Sequence, residues 1–95
     1  MRQINSRVGA VSHSNEDTIF LFGYGIYVGD EVPPPEIQPW MRIAHPNPKI
    51  ILDNGKVIWG CECWWGSEEA VKKQIGTNKV VMVDIDEARA KAQET

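Results

Sequence analysis

Ninety-five residues, 42% of them apolar and 24% charged, describe an ordinary globular chain and exclude a disordered one. Ten basic against thirteen acidic side chains leave a net charge of −3, which gives no pull toward phosphate backbones or anionic lipid. The surface scaling of folded chains hides roughly 65% of a chain this size, enough for one modest core, so residues 1–95 read as a single domain. The longest apolar stretch, Ile19 to Val28, is broken by glycines and falls short of the ~20 residues a membrane helix needs. The start lacks the grading of a signal peptide, so a soluble, cytoplasmic protein is expected.

From Met1 to Asp17 the chain is polar and weakly patterned. Val8, Ala10 and Ser12 alternate as one face of a short edge strand would, and Asn15-Glu16-Asp17 is a turn cluster. Thr18 to Val28 is dense in β-branched and aromatic residues, which predicts a strand. Both its faces begin apolar, so its first half should be buried on both sides. Gly23 and Gly25 strip one face bare where Tyr24 projects from the other, a pattern that marks a bulge, a bend or a close approach. Gly29-Asp30-Glu31 ends the strand. Pro33-Pro34-Pro35, with Pro39, Pro46 and Pro48 behind them, makes 29–48 one long Pro-rich loop, laid over the body through Trp40, Met41 and Ile43.

Lys49 to Asp53, Asn54-Gly55 and Lys56 to Trp65 predict a β-hairpin with a two-residue turn. That register pairs Leu52 with Val57, Ile51 with Ile58 and Ile50 with Trp59. One face then carries Ile50, Leu52, Val57, Trp59, Cys61, Cys63 and Trp65; the other carries Ile51, Ile58, Glu62 and Trp64. Ser67 caps a helix that runs to Ile75, with Glu68 and Glu69 at its positive end and Gly76 as its stop. Asn78 to Asp86 predicts a strand whose Val80-Val81-Met82-Val83 run looks central. Residues 87–95 lack an apolar stripe and predict a fraying tail helix. The order gives an α+β domain. Its antiparallel or mixed sheet has about four strands around the central hairpin 49–65, with helix 67–75 packed on one face. One helix covers one face, so the Trp40 loop, a second copy of the chain or a ligand must cover the other.

The only cysteines, Cys61 and Cys63, would stand 6.5–7 Å apart if they shared a strand face, by the strand rise of about 3.3 Å per residue. A disulfide needs its β-carbons near 4 Å, so reduced, buried thiols are expected. A zinc set would have to be completed by His13 and His45, at no recognised spacing, so no metal and no cofactor is expected. Gly23-Tyr24-Gly25 lies inside a strand and fails as a dinucleotide fingerprint. A small cysteine-dependent hydrolase or transferase using Cys61 or Cys63 with His45 as base and Glu62 nearby is the alternative enzymatic reading.

The aromatic set is the strongest signal. Tyr24, Tyr27, Trp40 and Trp64, with Arg42 and Glu62, form a candidate binding surface, since tyrosine and tryptophan present much area at low entropic cost. The leading expectation is a non-enzymatic interaction module with no catalytic residue. It would bind a protein partner, itself, or a nucleotide-like small molecule stacked on the rings; neither a long nucleic acid nor a membrane is expected. A structural subunit of a larger assembly is the other reading. In size and build the chain resembles short accessory proteins of phages and mobile elements, which implies a host defence protein or its nucleotide signal as target.

Overall fold

A computed structural model describes residues 3–34 and 45–93. It is an α+β structure of six strands and two helices. The elements are β1 (Ser6–Ser14), β2 (Thr18–Glu31), β3 (Asn47–Leu52), β4 (Val57–Trp59), β5 (Trp64–Ser67), α1 (Glu68–Ile75), β6 (Lys79–Met82) and α2 (Ile85–Gln93). A single 3-10 turn, Gly60–Glu62, separates β4 from β5.

β2 organises everything else. Its Ile19–Tyr27 stretch pairs antiparallel with β1 along one edge. Along the other edge, Thr18–Leu21 pair parallel with β6, and Gly25–Glu31 pair antiparallel with β3. The polar N-terminal stretch is therefore no edge strand. β1 lies between β2 and β5, and its Val8 and Ala10 are fully buried. Asn15 makes the β1–β2 turn, its Oδ1 accepting from the backbone N–H groups of Asp17 and Thr18.

The hairpin between β3 and β4 sits one residue away from the expected register: Ile50 faces Ile58 and Ile51 faces Val57. The turn is longer than Asn54-Gly55 alone. Gly55 donates to the Leu52 carbonyl, Leu52 donates to the Lys56 carbonyl, and Gly55 takes φ +88°. This is the three-residue loop, a turn followed by a glycine bulge, with Asp53 drawn in. A one-residue slip moves a strand's side chains to the opposite face. Ile58 joins Ile50 and Leu52 in the core, whereas Ile51 and Val57 turn outward. Trp59 is buried as expected, but on the side of β4 away from Ile58, with the Lys49 ammonium 5.8 Å from its ring centre.

The long strand predicted to Trp65 breaks at Gly60, and the break closes the fold. β4 and β5 lie at opposite ends of the path β4-β3-β2-β1-β5, yet only residues 60–63 join them. A flat five-stranded sheet would set those ends about 19 Å apart at the usual strand spacing. Even fully extended, the five residue steps from Trp59 to Trp64 reach only about 17 Å, and the 3-10 turn shortens them further, so the sheet is curled. Gly60 sits at the seam, where a Cβ would lie 2.9 Å from both the Pro48 ring and Trp65 Nε1. Inside the curl, Val8, Ala10, Phe22, Tyr27, Ile50, Leu52 and Ile58 form the main core, and the Trp65 ring stacks on Tyr27 at 5.4 Å.

The helices seal two further openings. α1, capped by Ser67 Oγ accepting from Ala70 N–H, lays Val71 and Ile75 over Val11, Ile19 and Leu21 on the outer face. Gly9 permits that approach: a Cβ there would sit 3.0 Å from the Val71 side chain. α2 docks where the sequence showed no stripe, through Ile85, which is buried in the main core, and Ala88, which packs against it. The inner face that seemed to need a foreign cover is thus closed by the sheet's own curl and by α2. The expected four strands and one packed helix are replaced by six strands and two helices. β6 is also corrected: it is an edge strand, and all four of its residues are exposed.

Candidate functional site

Of the six residues expected to form one surface, Tyr24, Tyr27, Glu62 and Trp64 lie among the described residues, each in a different setting. Trp40 and Arg42 lie outside the described residues. Tyr27 is core, stacked on Trp65, with its hydroxyl donating to Asp30 at 2.5 Å. That hydrogen bond to a carboxylate pushes the Tyr27 phenol above its ordinary value. Tyr24 packs against the α1 layer under the Lys72 ammonium, 5.4 Å from its ring centre. Glu62 is only 8% exposed at its side chain and is fully engaged: it receives Arg89 through both oxygens at 2.8 Å and the Trp59 N–H at 3.1 Å. Trp64 alone remains open, 52% exposed, on the outer face of β5 opposite Val11.

The thiols are no better placed for chemistry. Cys61 lies in the 3-10 turn and Cys63 just beyond it, so they do not share a strand face. Cys63 donates to the Trp59 carbonyl at 3.5 Å, and burial pushes its thiol up to about 12. A thiol held there carries almost no thiolate at neutral pH. His45 is exposed at the margin of the described residues, where its carbonyl accepts from the Asn47 side chain. Among the described residues no group of three or more metal-ligating side chains is gathered.

Two surface depressions stand out. One, of about 710 Å³, lies at the start of α1 between Arg7, Glu68, Lys72 and Lys73. Arg7, Glu68 and Lys72 are matched there with one another and with Asp53. Arg7 takes the two Asp53 oxygens at 2.7 and 2.8 Å and Glu68 Oε2 at 2.7 Å, and Lys72 takes the other Glu68 oxygen at 2.9 Å. These pairings hold Asp53 and Glu68 below their ordinary carboxylate values. The cluster fastens β1 to the hairpin turn and to α1, and the paired arginine has no vacant fork for an anion.

The second depression has the opposite character. A groove of about 730 Å³ runs between the N-terminal end of β2 and α2, lined by His13, Phe20, Val81, Met82, Ala88 and Lys91. His13 and Phe20, paired across β1 and β2, stack with ring centres 4.2 Å apart and planes 11° from parallel. Ser12 Oγ shares a hydrogen bond with His13 Nδ1 at 2.9 Å. Beside the rings stands β6, where Val80, Val81 and Met82 are 43%, 44% and 64% exposed in succession. The sequence did carry this signal, in the apolar run 80–83. It was read as a buried strand because composition alone cannot tell a central strand from an exposed edge.

No protein-family model, curated protein or solved structure matches this chain. Among the described residues no helix is long and apolar enough to cross a membrane.

Proposed function

We propose that the protein is a small interaction module that presents the β6 edge and the His13–Phe20 groove to another polypeptide. One observation carries this reading: three consecutive large apolar side chains stand exposed on a strand that, among the described residues, has no strand neighbour on its far side. Such a run is a defect in a monomer unless something covers it. Native edges are usually blunted by proline, by inward charge or by a bulge. β6 is short and opens on Lys79, but its Val80-Val81-Met82 run carries no proline, charge or bulge. Two other expectations lose support. Ring stacking of a nucleotide on Tyr24, Tyr27, Trp40 and Trp64 would call on the Tyr27 ring, which the core uses, and on Tyr24, which packs against the α1 layer. Of the two thiols in the enzymatic reading, Cys61 and Cys63, the second would need to be more acidic than its burial allows.

The test is site-specific photocrosslinking in the cells that make the protein. The photoreactive residue is placed at Met82, with Ile51 on the outer face of β3 as control. A discrete adduct from position 82 and none from position 51 is expected, whatever the adduct's identity. An unadducted chain at position 82 refutes the reading.

A further inference from the structure

We infer that the polypeptide received at this edge is a second copy of the chain, whose β6 pairs antiparallel with β6 about a two-fold axis at Val81. The inference rests on the proposed role of the β6 edge and specifies its partner. It starts from the direction of the backbone bonds. In the parallel ladder with β2, Lys79 N–H reaches the Asp17 carbonyl at 2.9 Å and Val83 N–H reaches the Leu21 carbonyl at 2.9 Å. Bonding groups alternate in direction along a strand, so residues 79, 81 and 83 bond inward to β2. The N–H and C=O groups of Val80 and Met82 therefore point away from the sheet. These two residues flank Val81 symmetrically. In an antiparallel pair of identical strands centred there, Val80 exchanges both of its bonds with Met82 of the other copy, and Met82 does so with Val80. Four main-chain hydrogen bonds form, and Val81 meets its own twin in the closer, non-hydrogen-bonded position.

Side chains and charge favour the same arrangement. Every residue brought together at the centre is apolar and exposed in the isolated chain. Lys79, at the start of β6, is exposed and makes no ion pair among the described residues, whereas the strand's end is followed by Glu87, likewise without an ion pair there, and by Asp84 and Asp86, which share the single Lys56 ammonium. Antiparallel pairing sets the basic end of one copy beside the acidic end of the other; parallel pairing would align like charges. A two-fold contact uses both copies' edges and closes, so it yields a dimer and not a fibre. The strand is short, and a standard interface buries about 800 Å² per partner, so the dimer is expected at the weak, concentration-dependent end of the range.

Sedimentation of the purified chain over a wide concentration range, joined to cysteine crosslinking, tests this. The expected result is a monomer–dimer equilibrium. Val81→Cys should give a disulfide-linked dimer under mild oxidant, its 81–81 link identified by peptide mapping. Val80→Cys should not, because the two copies of residue 80 sit on a diagonal about 7–8 Å apart. Met82→Pro removes an outward N–H only and should abolish dimerisation while leaving the melting temperature near that of the parent. A chain that stays monomeric at the highest concentration, a ladder of higher oligomers, or equal crosslinking from positions 80 and 81 overturns the two-fold pairing. If the purified chain is monomeric while photocrosslinking at Met82 in cells yields a heterologous adduct, the interaction module stands and self-pairing falls. If neither experiment gives an adduct, both fall.

Discussion

The pair Glu62–Arg89 holds α2 against the turn that joins β4 to β5, and its removal should cost far more than a surface ion pair. Arg89, 18% exposed at its side chain, donates from Nε and Nη2 to the Glu62 carboxylate and again from Nη2 to the Val57 carbonyl at 2.8 Å. Arg89→Met keeps most of the apolar stem but strands a nearly buried carboxylate with one remaining donor, the Trp59 N–H. Breaking a buried pair by deleting one partner costs about 3–5 kcal/mol; with Arg89 at the rim, the lower figure of about 3 kcal/mol applies. For a domain this size that corresponds to a fall of about 12–24 °C in melting temperature. Glu62→Gln keeps an acceptor for Trp59 and leaves the stranded charge on the better-solvated partner, so it should cost about 1–2 kcal/mol. The double variant Glu62→Gln/Arg89→Met should be less destabilised than the two single losses combined, because the carboxylate stranded by the single Arg89 change is gone. Thermal and urea unfolding of the four proteins measure all of this. If Arg89→Met melts within a degree or two of the parent, or the single effects simply add, the pair does not anchor α2.

Further outcomes follow from the same geometry. Asp84, held low by the Lys56 ammonium, and Asp53 and Glu68, held low by their cationic partners, have depressed values in the folded chain. Their stabilisation is complete above the unfolded carboxylate range of about 3.9–4.3 and is lost as pH falls through the folded values. Melting temperature should therefore be flat from neutrality to about pH 5 and decline only below that range, less steeply in high salt; a steep decline near pH 6 would contradict this assignment. Alkylation of Cys63 at neutral pH, followed by peptide mass spectrometry, should proceed only as fast as the chain opens and should accelerate with sub-denaturing urea. Rapid labelling in the native state would revive the thiol enzyme. Gly25→Ala would place a Cβ 2.3 Å from the Ile51 carbonyl oxygen and 2.7 Å from Leu52 Cα, a clash with backbone that should cost about 3 kcal/mol in urea unfolding. Gly66→Ala, whose Cβ meets only the Trp64 ring at 3.9 Å, is the control that should fold nearly normally.

Local chemistry in the sequence was readable where a short stretch decides its own structure. The Asn15 turn, the β2 strand, the Ser67 cap and the Gly76 stop depend on neighbours within a few residues, and all four are present. What was not legible depends on partners far along the chain. β1 looked like an edge because half its residues are polar, yet Ser6–Ser14 is flanked by β2 and β5. The parallel pairing of β6 with β2 brings together residues 61 positions apart (Thr18 with Lys79), and no local pattern announces it. Glu62 was noticed as a polar residue among aromatics, which it is, but its partner Arg89 sits in a helix that seemed to have nothing to hold. Tyr27 was counted as surface because a strand between two sheet edges looks the same in sequence as one wrapped around a core.

The hairpin turn shows which of two competing preferences wins, and it yields a sharp test. Asn-Gly favours a two-residue turn, and in the expected register that turn would have placed Ile58 beside Ile51, facing out. Burying Ile58 is worth about 1.5–3 kcal/mol, more than the difference between two good turns, so the strand slips by one and Asp53 enters the loop. Deleting Asp53 removes the conflict. It leaves Asn54-Gly55 as a two-residue loop between Leu52 and Lys56, which already pair, and keeps Ile50 opposite Ile58. The shortened chain should thus remain folded. It loses the Arg7–Asp53 ion pair, which is exposed and screened by solvent, so its melting temperature should stay within about 5 °C of the parent. Trp59 fluorescence should stay that of a buried indole. Were the three-residue loop ending at Gly55, and not the burial of Ile58, to set the register, the deletion would draw Leu52 into the loop and make Ile58 and Trp59 exchange faces of β4. The emission would then shift to the red and cooperative unfolding would be lost.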